Sequence, residues 1–164
     1  GNMIVGCQVF GKRAGRAAAE LSKNQRKTPA PDASSLETVR KIGDPQGKYL
    51  PTQIKAQIQH LMSTHYLIVK NELGLTKLIQ GIEELTKQTT ADGFALHSPA
   101  DLWHALECRN MLQTALVMAK AALSRKESRG SHFRDDVTES KPEFERMISF
   151  QLRGHELKQK TIKS

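Results

Sequence analysis

Metal ligation and nucleophilic catalysis are the first chemistries to seek in a chain with six histidines and two cysteines. His60 and His65 stand five apart, whereas a helical zinc pair prefers a spacing of four, and no HExxH occurs. His97 and His104 are seven apart and share a helical face, but no carboxylate constellation lies near them. Cys7 and Cys108 are far apart with no CxxC, so neither a zinc site nor a disulfide framework follows, and reduced thiols in the cytoplasm are expected. No GxSxG elbow presents a serine, which leaves hydrolase chemistry unsupported. The sequence therefore predicts no metal site and no catalytic residue of its own.

Charge comes next. The formal net charge is +8, which raises nucleic acid or an anionic surface as a partner. The basic residues are spread along the chain, however, and aromatics make up only 5% and are not interleaved with them as stacking platforms. No nucleic-acid partner is expected. No apolar run reaches the length of a membrane span, so a soluble chain is expected.

The elements that must position these residues read as mainly helical. Apolar residues are 38% of the chain, enough for a modest helical core built from Leu, Ile, Ala and Met. Met3 to Ser22 is small, apolar and Ala-rich, with Gly6, Gly11 and Gly15 suited to close approach of another backbone. A linker follows from Lys23 to Lys48, punctuated by Pro29, Pro31, Gly43, Pro45 and Gly47, with a short amphipathic turn from Leu36 to Ile42. Pro51 opens a helix whose stripe runs Ile54, Ile58, Leu61, Ile68, Leu75, Ile79 and Ile82, carrying His65 and Glu72 with it. The pattern is too long for one helix, so a break is expected near Lys70–Asn71, with Asn71 capping a second helix that closes by Gly93. Ser98, Pro99 and Asp101 open a third, with the stripe Leu102, Leu106, Arg109, Leu112, Leu116, Ala119 and Leu123. A charge at Arg109 on that stripe needs a partner, with Glu72 or Glu107 the candidates. After a charged loop, Ile148, Phe150 and Leu152 alternate with polar residues and Arg153–Gly154 offers a turn, predicting a β-hairpin with a short helix as the rival.

Three stretches carry a family resemblance. Gly1-Asn2, followed by Val9-Phe10-Gly11-Lys12-Arg13-Ala14-Gly15, resembles the end of the FAD-binding domain in succinate dehydrogenase/fumarate reductase flavoproteins, where a Gly-Asn-Ser-Leu loop meets the flavin. Leu106-Glu107-Cys108-Arg109-Asn110-Met111-Leu112 is similar to that family's Leu-Glu-x-Arg/Gln-Asn-x-Leu. Arg125-Lys126-Glu127-Ser128-Arg129-Gly130-Ser131-His132-Phe133-Arg134-Asp135-Asp136 resembles its Arg-x-Glu-Ser-Arg-Gly-Ala-His-x-Arg-x-Asp segment almost position for position. Aspartate oxidases and adenylylsulfate reductases share the pattern.

The resemblance implies a three-helix antiparallel bundle, the C-terminal domain of the flavoprotein subunit, preceded by one Ala/Gly-rich helix. Residues 1–22 would be the terminal helix of an FAD-binding domain, 23–48 a linker, 49–125 the bundle, and 126–164 a charged docking loop and β-hairpin. Gly1, Asn2, Met3 and Ile4 would be the remnant of the FAD loop, with Met3 and Ile4 standing where the family has Ser and Leu. Arg109, Glu127, Arg129, Gly130, His132 and Arg134 would be interdomain or structural residues, Gly130 permitting the sharp exit from the helix. FAD would bind the full-length protein but not this chain, since no Gly-x-Gly-x-x-Gly loop occurs here and the family's catalytic arginine lies upstream. The resemblance implies the N-terminal FAD-binding part of the same enzyme as partner and contact with a membrane only through a partner subunit, with a homodimer through the first helix as a further expectation. A free-standing helical interaction module and a basic nucleic-acid-binding bundle stay open as alternatives.

Overall fold

The computed structural model describes residues 3–24, 30, 32–44, 46–153 and 156–163. The chain divides into two compact units, Gly1–Leu36 and Glu37–Ser164. The fold is mainly helical with a β tail.

The first unit is dominated by α1, Met3–Asn24, an Ala-rich helix whose large apolar residues Ile4, Val5, Val9, Phe10 and Leu21 are exposed. A methyl group added at Gly6, Gly11 or Gly15 would meet nothing within 4 Å, so the close neighbour expected for these glycines is not among the described residues. Within the expected linker lies more structure than a single turn. A ten-residue helix, α2, spans Ala33–Ile42 and leads into the two-residue strand β1, Gly43–Asp44.

The second unit is built on three helices, α3 (Pro51–His65), α4 (Glu72–Asp92) and α5 (Pro99–Ser124), which pack pairwise around one core. Ile54, Leu75, Leu78 and Ile82 are fully buried, each worth about 1.5–3 kcal/mol in transfer from water. Local chemistry sets the helix ends. The Asn71 side chain accepts from the Gly74 N–H at 2.8 Å, and the Ser98 side chain accepts from the Asp101 N–H at 3.3 Å; each satisfies a donor the helix cannot satisfy itself. Gly93, with φ of 67°, ends α4 in a conformation other residues rarely adopt.

Short parallel pairings tie the loops to the bundle. β1 pairs with β3, Phe94–Ala95, and β2, Val69–Lys70, pairs with β4, Phe133–Arg134. Gly47 lies so close to β3 that an added Cβ would overlap the Phe94 carbonyl. The C-terminal expectation of a hairpin, rather than a helix, holds: β5, Arg146–Arg153, runs antiparallel to β6, Glu156–Lys163, in unbroken register. Gly154, at the expected turn, lies outside the described residues.

Two details of the stripes differ from the sequence reading. Ile68 is 80% exposed, because α3 stops at His65 and the residue lies in the turn beyond it. On α5 the buried line is Ala105, Cys108, Leu112, Ala115, Ala119 and Ala122, with Leu102, Leu106, Leu116 and Leu123 flanking it at half burial. Small residues occupy the line because closely packed helices leave little room there, and the larger leucines fill the edges.

Candidate functional site

A dense cluster of charged side chains lies where the chain leaves α5, along a segment that bends at Glu127 and again at Asp135 and Asp136. Arg125, Glu127 and Arg129 are two apart, and so are Arg134 and Asp136, and each set closes on itself through its own hydrogen bonds.

The first set closes around Glu127, whose side chain is fully buried. Arg125 donates to it, Arg129 donates through Nε at 3.1 Å to Oε1 and through Nη2 at 3.1 Å to Oε2, and the Lys141 backbone N–H donates at 2.8 Å. Glu145 lies 3.4 Å from Arg129 and balances the second guanidinium. Burial by itself pushes the Glu127 carboxyl up. The donors from Arg129, Lys141 and Arg125 outweigh it and hold the group at about 2.

The second set is a bidentate pair between Arg134, also fully buried, and Asp136, at 2.8 Å and 2.6 Å. Its two ends meet two helix termini. Arg134 Nη1 donates to the Leu123 carbonyl at 3.2 Å, at the C-terminal end of α5, while Asp136 accepts from the Glu72 N–H at 2.7 Å, at the start of α4. A cation at a helix C-terminus and an anion at an N-terminus are both favourable to the helix dipole, so this one pair clasps α4 and α5 together. The guanidinium of Arg134 is the main reason that Asp136 is held down at about 2.

Between the sets, Arg129 and His132 exchange backbone hydrogen bonds at 2.8 Å and 3.0 Å around Gly130, whose φ is 58°; a side chain there would be strained. The His132 ring Nε2 donates to the Arg125 carbonyl at 3.2 Å. Burial first lowers its pKa, the Arg125 carbonyl opposes that, and the nearby Lys70, Arg125 and Arg134 charges add to the lowering. Ser128 Oγ accepts from the Arg134 N–H at 2.8 Å and donates to the Val137 carbonyl at 2.7 Å. A carboxylate saturated by two guanidinium groups and an amide is a poor general base. The cluster's bonds to the Lys141 amide and the Leu123 carbonyl fix backbone.

The other site expectations fare variously. Gly1 and Asn2 lie outside the described residues; Met3 begins α1 and Ile4 is 71% exposed. Arg109 is exposed rather than on the buried stripe, because that stripe is rotated toward Ala105 and Cys108. Its two candidate partners are engaged elsewhere: Glu107 with Lys55 at 2.8 Å, and Glu72 with Arg134 and Lys126 at 3.8 Å. Cys108 is buried and donates its thiol to the Pro51 carbonyl at 3.1 Å. Sequence reasoning missed Arg125 and Asp136 as the partners that complete the two sets, although their two-residue spacing was a usable signal. Among the described residues no group of three or more His, Cys, Asp and Glu side chains is placed to hold a metal ion, and no helix is long and apolar enough to cross a membrane.

Comparison with known proteins decides the family. The profile described as fumarate reductase flavoprotein C-terminus matches residues 55–159, a span that takes in most of α3, all of α4 and α5, both charge sets and most of the hairpin. The chain belongs to this flavoprotein C-terminal family. It is 34% identical over 158 residues to a subunit of the fumarate reductase (CoM/CoB) of Methanothermobacter marburgensis, covering 90% of this chain and 28% of the relative. It is 30% identical over 149 residues to the succinate dehydrogenase flavoprotein subunit of Rickettsia conorii, covering 87% of this chain and 25% of the relative. Its fold matches that of Mycobacterium smegmatis Sdh1 in complex with UQ1 with a TM-score of 0.73 at 25% identity, over 94% of this chain and 27% of that one. The chain thus spans about a quarter of the length of the curated relatives it matches.

Proposed function

We propose that this chain is the C-terminal helical portion of an FAD-dependent oxidoreductase whose full-length form carries out succinate/fumarate-type hydride transfer in the cytoplasm. Its task is to pack against the flavin-binding part, and it is inactive alone. The FAD and the reacting carbon belong to that other part, together with the groups that move the proton. In this reading the domain plan is a terminal helix of the flavin domain at 1–22, a linker at 23–48, the bundle at 49–125 and a docking loop with hairpin at 126–164.

The observation that carries the reading is the contrast at the motif segment. Its buried charges, Glu127 and Arg134, are met within the segment, while Leu67, Ile68, Val69, Leu73 and Phe133 beside it are all exposed. Val69 and Phe133 are register partners in the β2–β4 pair. Contiguous exposed apolar side chains next to a rigid scaffold suit a docking face better than a reactive centre. The exposed apolar residues of α1 supply a second such face, which in the isolated chain would be met by a second copy.

The test is a titration of the purified, folded chain with FAD, read by flavin fluorescence and absorbance. The reading expects no stoichiometric binding from a chain whose circular dichroism shows intact helices. Tight one-to-one binding would place a complete flavin site here and defeat it.

A further inference from the structure

The charge of this chain is distributed unevenly. Residues 37–145 hold fourteen basic and fourteen acidic side chains, whereas residues 146–164 hold five basic and one acidic. The entire cationic excess of the second unit therefore sits on the hairpin. Basic residues recur throughout the bundle, but there carboxylates equal them in number, and on the hairpin they do not.

The hairpin is fixed at its base. Arg125, itself bonded to the buried Glu127, donates to the Phe144 carbonyl through Nη1 and to the Arg146 carbonyl through Nη2, each at 2.8 Å. Beyond that base, among the described residues, the substantial contacts of each strand are with the other strand. A two-stranded hairpin on its own is marginal in water, so this one gains order from whatever it meets.

Register defines the meeting face. Met147 stands opposite Ile162, Ser149 opposite Lys160, and Gln151 opposite Lys158, so all six share one side of the ribbon. Met147 and Ile162 are 61% and 40% exposed, and Lys158 and Lys160 are exposed as well. We propose that this face of the β5–β6 hairpin docks on an acidic surface of a separate protein. An apolar pair bordered by lysines matches the anatomy of a protein interface, where an apolar centre is ringed by charge. Phosphate backbone offers nothing to a Met–Ile pair, and the face has no aromatic on which a base could stack. A separate protein is favoured over a tethered part because an excess of exposed lysines accelerates diffusional encounter, which a covalently joined neighbour does not need. This inference stands independently of the assignment of FAD to another part of the enzyme.

The experiment places a photo-crosslinking amino acid at position 147 or 162 of the full-length protein in its own cells, and maps the adducts. The expected adduct joins the hairpin to a net-negative segment of a different polypeptide. Its yield should fall by at least about fivefold in the double variant Lys158→Glu, Lys160→Glu, and should not change in Lys77→Glu, Lys87→Glu on α4. Melting curves of each variant establish that folding is intact. An adduct to nucleic acid, an adduct within the same polypeptide, no adduct, or one indifferent to the lysine reversal would each overturn the proposal.

Discussion

The loop that leaves α5 and the hairpin that follows it are neighbours in sequence, and both are rich in charge, yet they use it oppositely. In the loop, Glu127 and Arg134 are fully buried, and each is met by partners of opposite charge. In the hairpin, Lys158 and Lys160 are exposed on β6. Charge that is buried and paired specifies one backbone path, because any other path strands an ion out of water at a cost of several kcal/mol. Charge that is exposed contributes little to stability and much to encounter with other molecules. Arg125 joins the two regimes, with one guanidinium bonded both to Glu127 and to the carbonyls at the hairpin base.

Substitutions should separate the two regions by size of effect. Glu127→Ala leaves Arg125 and Arg129 facing a buried site without their carboxylate, and should cost about 3–5 kcal/mol in urea denaturation. Arg134→Ala removes the clasp between α4 and α5 but leaves Asp136 partly open to water, so about 1.5–3 kcal/mol is expected by the same measurement. A loss under about 0.5 kcal/mol in both variants would erase the distinction between loop and hairpin.

Acid sharpens the comparison further. Glu127 and Asp136 each sit at about 2, against ordinary values of 4.5 and 3.8. Because both folded values are depressed, the stabilisation is complete above the ordinary values and is lost as pH falls toward about 2. His132, lowered from 6.5, adds a loss that begins as pH drops below that value, since the unfolded chain takes its proton first. Denaturation followed from pH 7 downward should show this decline, with a shallower slope below pH 4.5 in Glu127→Gln. The smallest effect belongs to the hairpin. Lys158→Glu with Lys160→Glu should alter stability by no more than about 0.5 kcal/mol, measured by thermal melting, and a larger loss would mean that these lysines help hold the fold.

Much of this architecture was legible because short-range chemistry writes it directly. Asn71, Gly93 and Ser98 mark helix ends by capping a donor or supplying a positive φ, and neither function depends on distant residues. The alternation of Ile148 and Phe150 likewise announced a strand. The face of α5 was misread because Ala105, Ala115, Ala119 and Ala122 carry a weak hydrophobic signal, and their burial follows from how closely other helices approach. Arg109 was placed inward for the same reason. At the charged motif the residue types were visible, but an expected pairing across domains does not reveal that Glu127 is met by the Lys141 amide or Arg134 by the Leu123 carbonyl. Those partners depend on a chain reversal that only the packed loop defines.

Native-state hydrogen exchange on the purified chain tests the central claim, that the motif segment is scaffold continuous with the helical core. The amides of Ser128, Arg134 and Lys141, all hydrogen-bonded within the loop, should exchange only with global unfolding, as slowly as those of Leu78 and Leu112, while the exposed edges of the hairpin exchange earlier. Exchange of those three amides at the rate of the hairpin edges would show a loop that opens independently of the bundle, and would contradict the account.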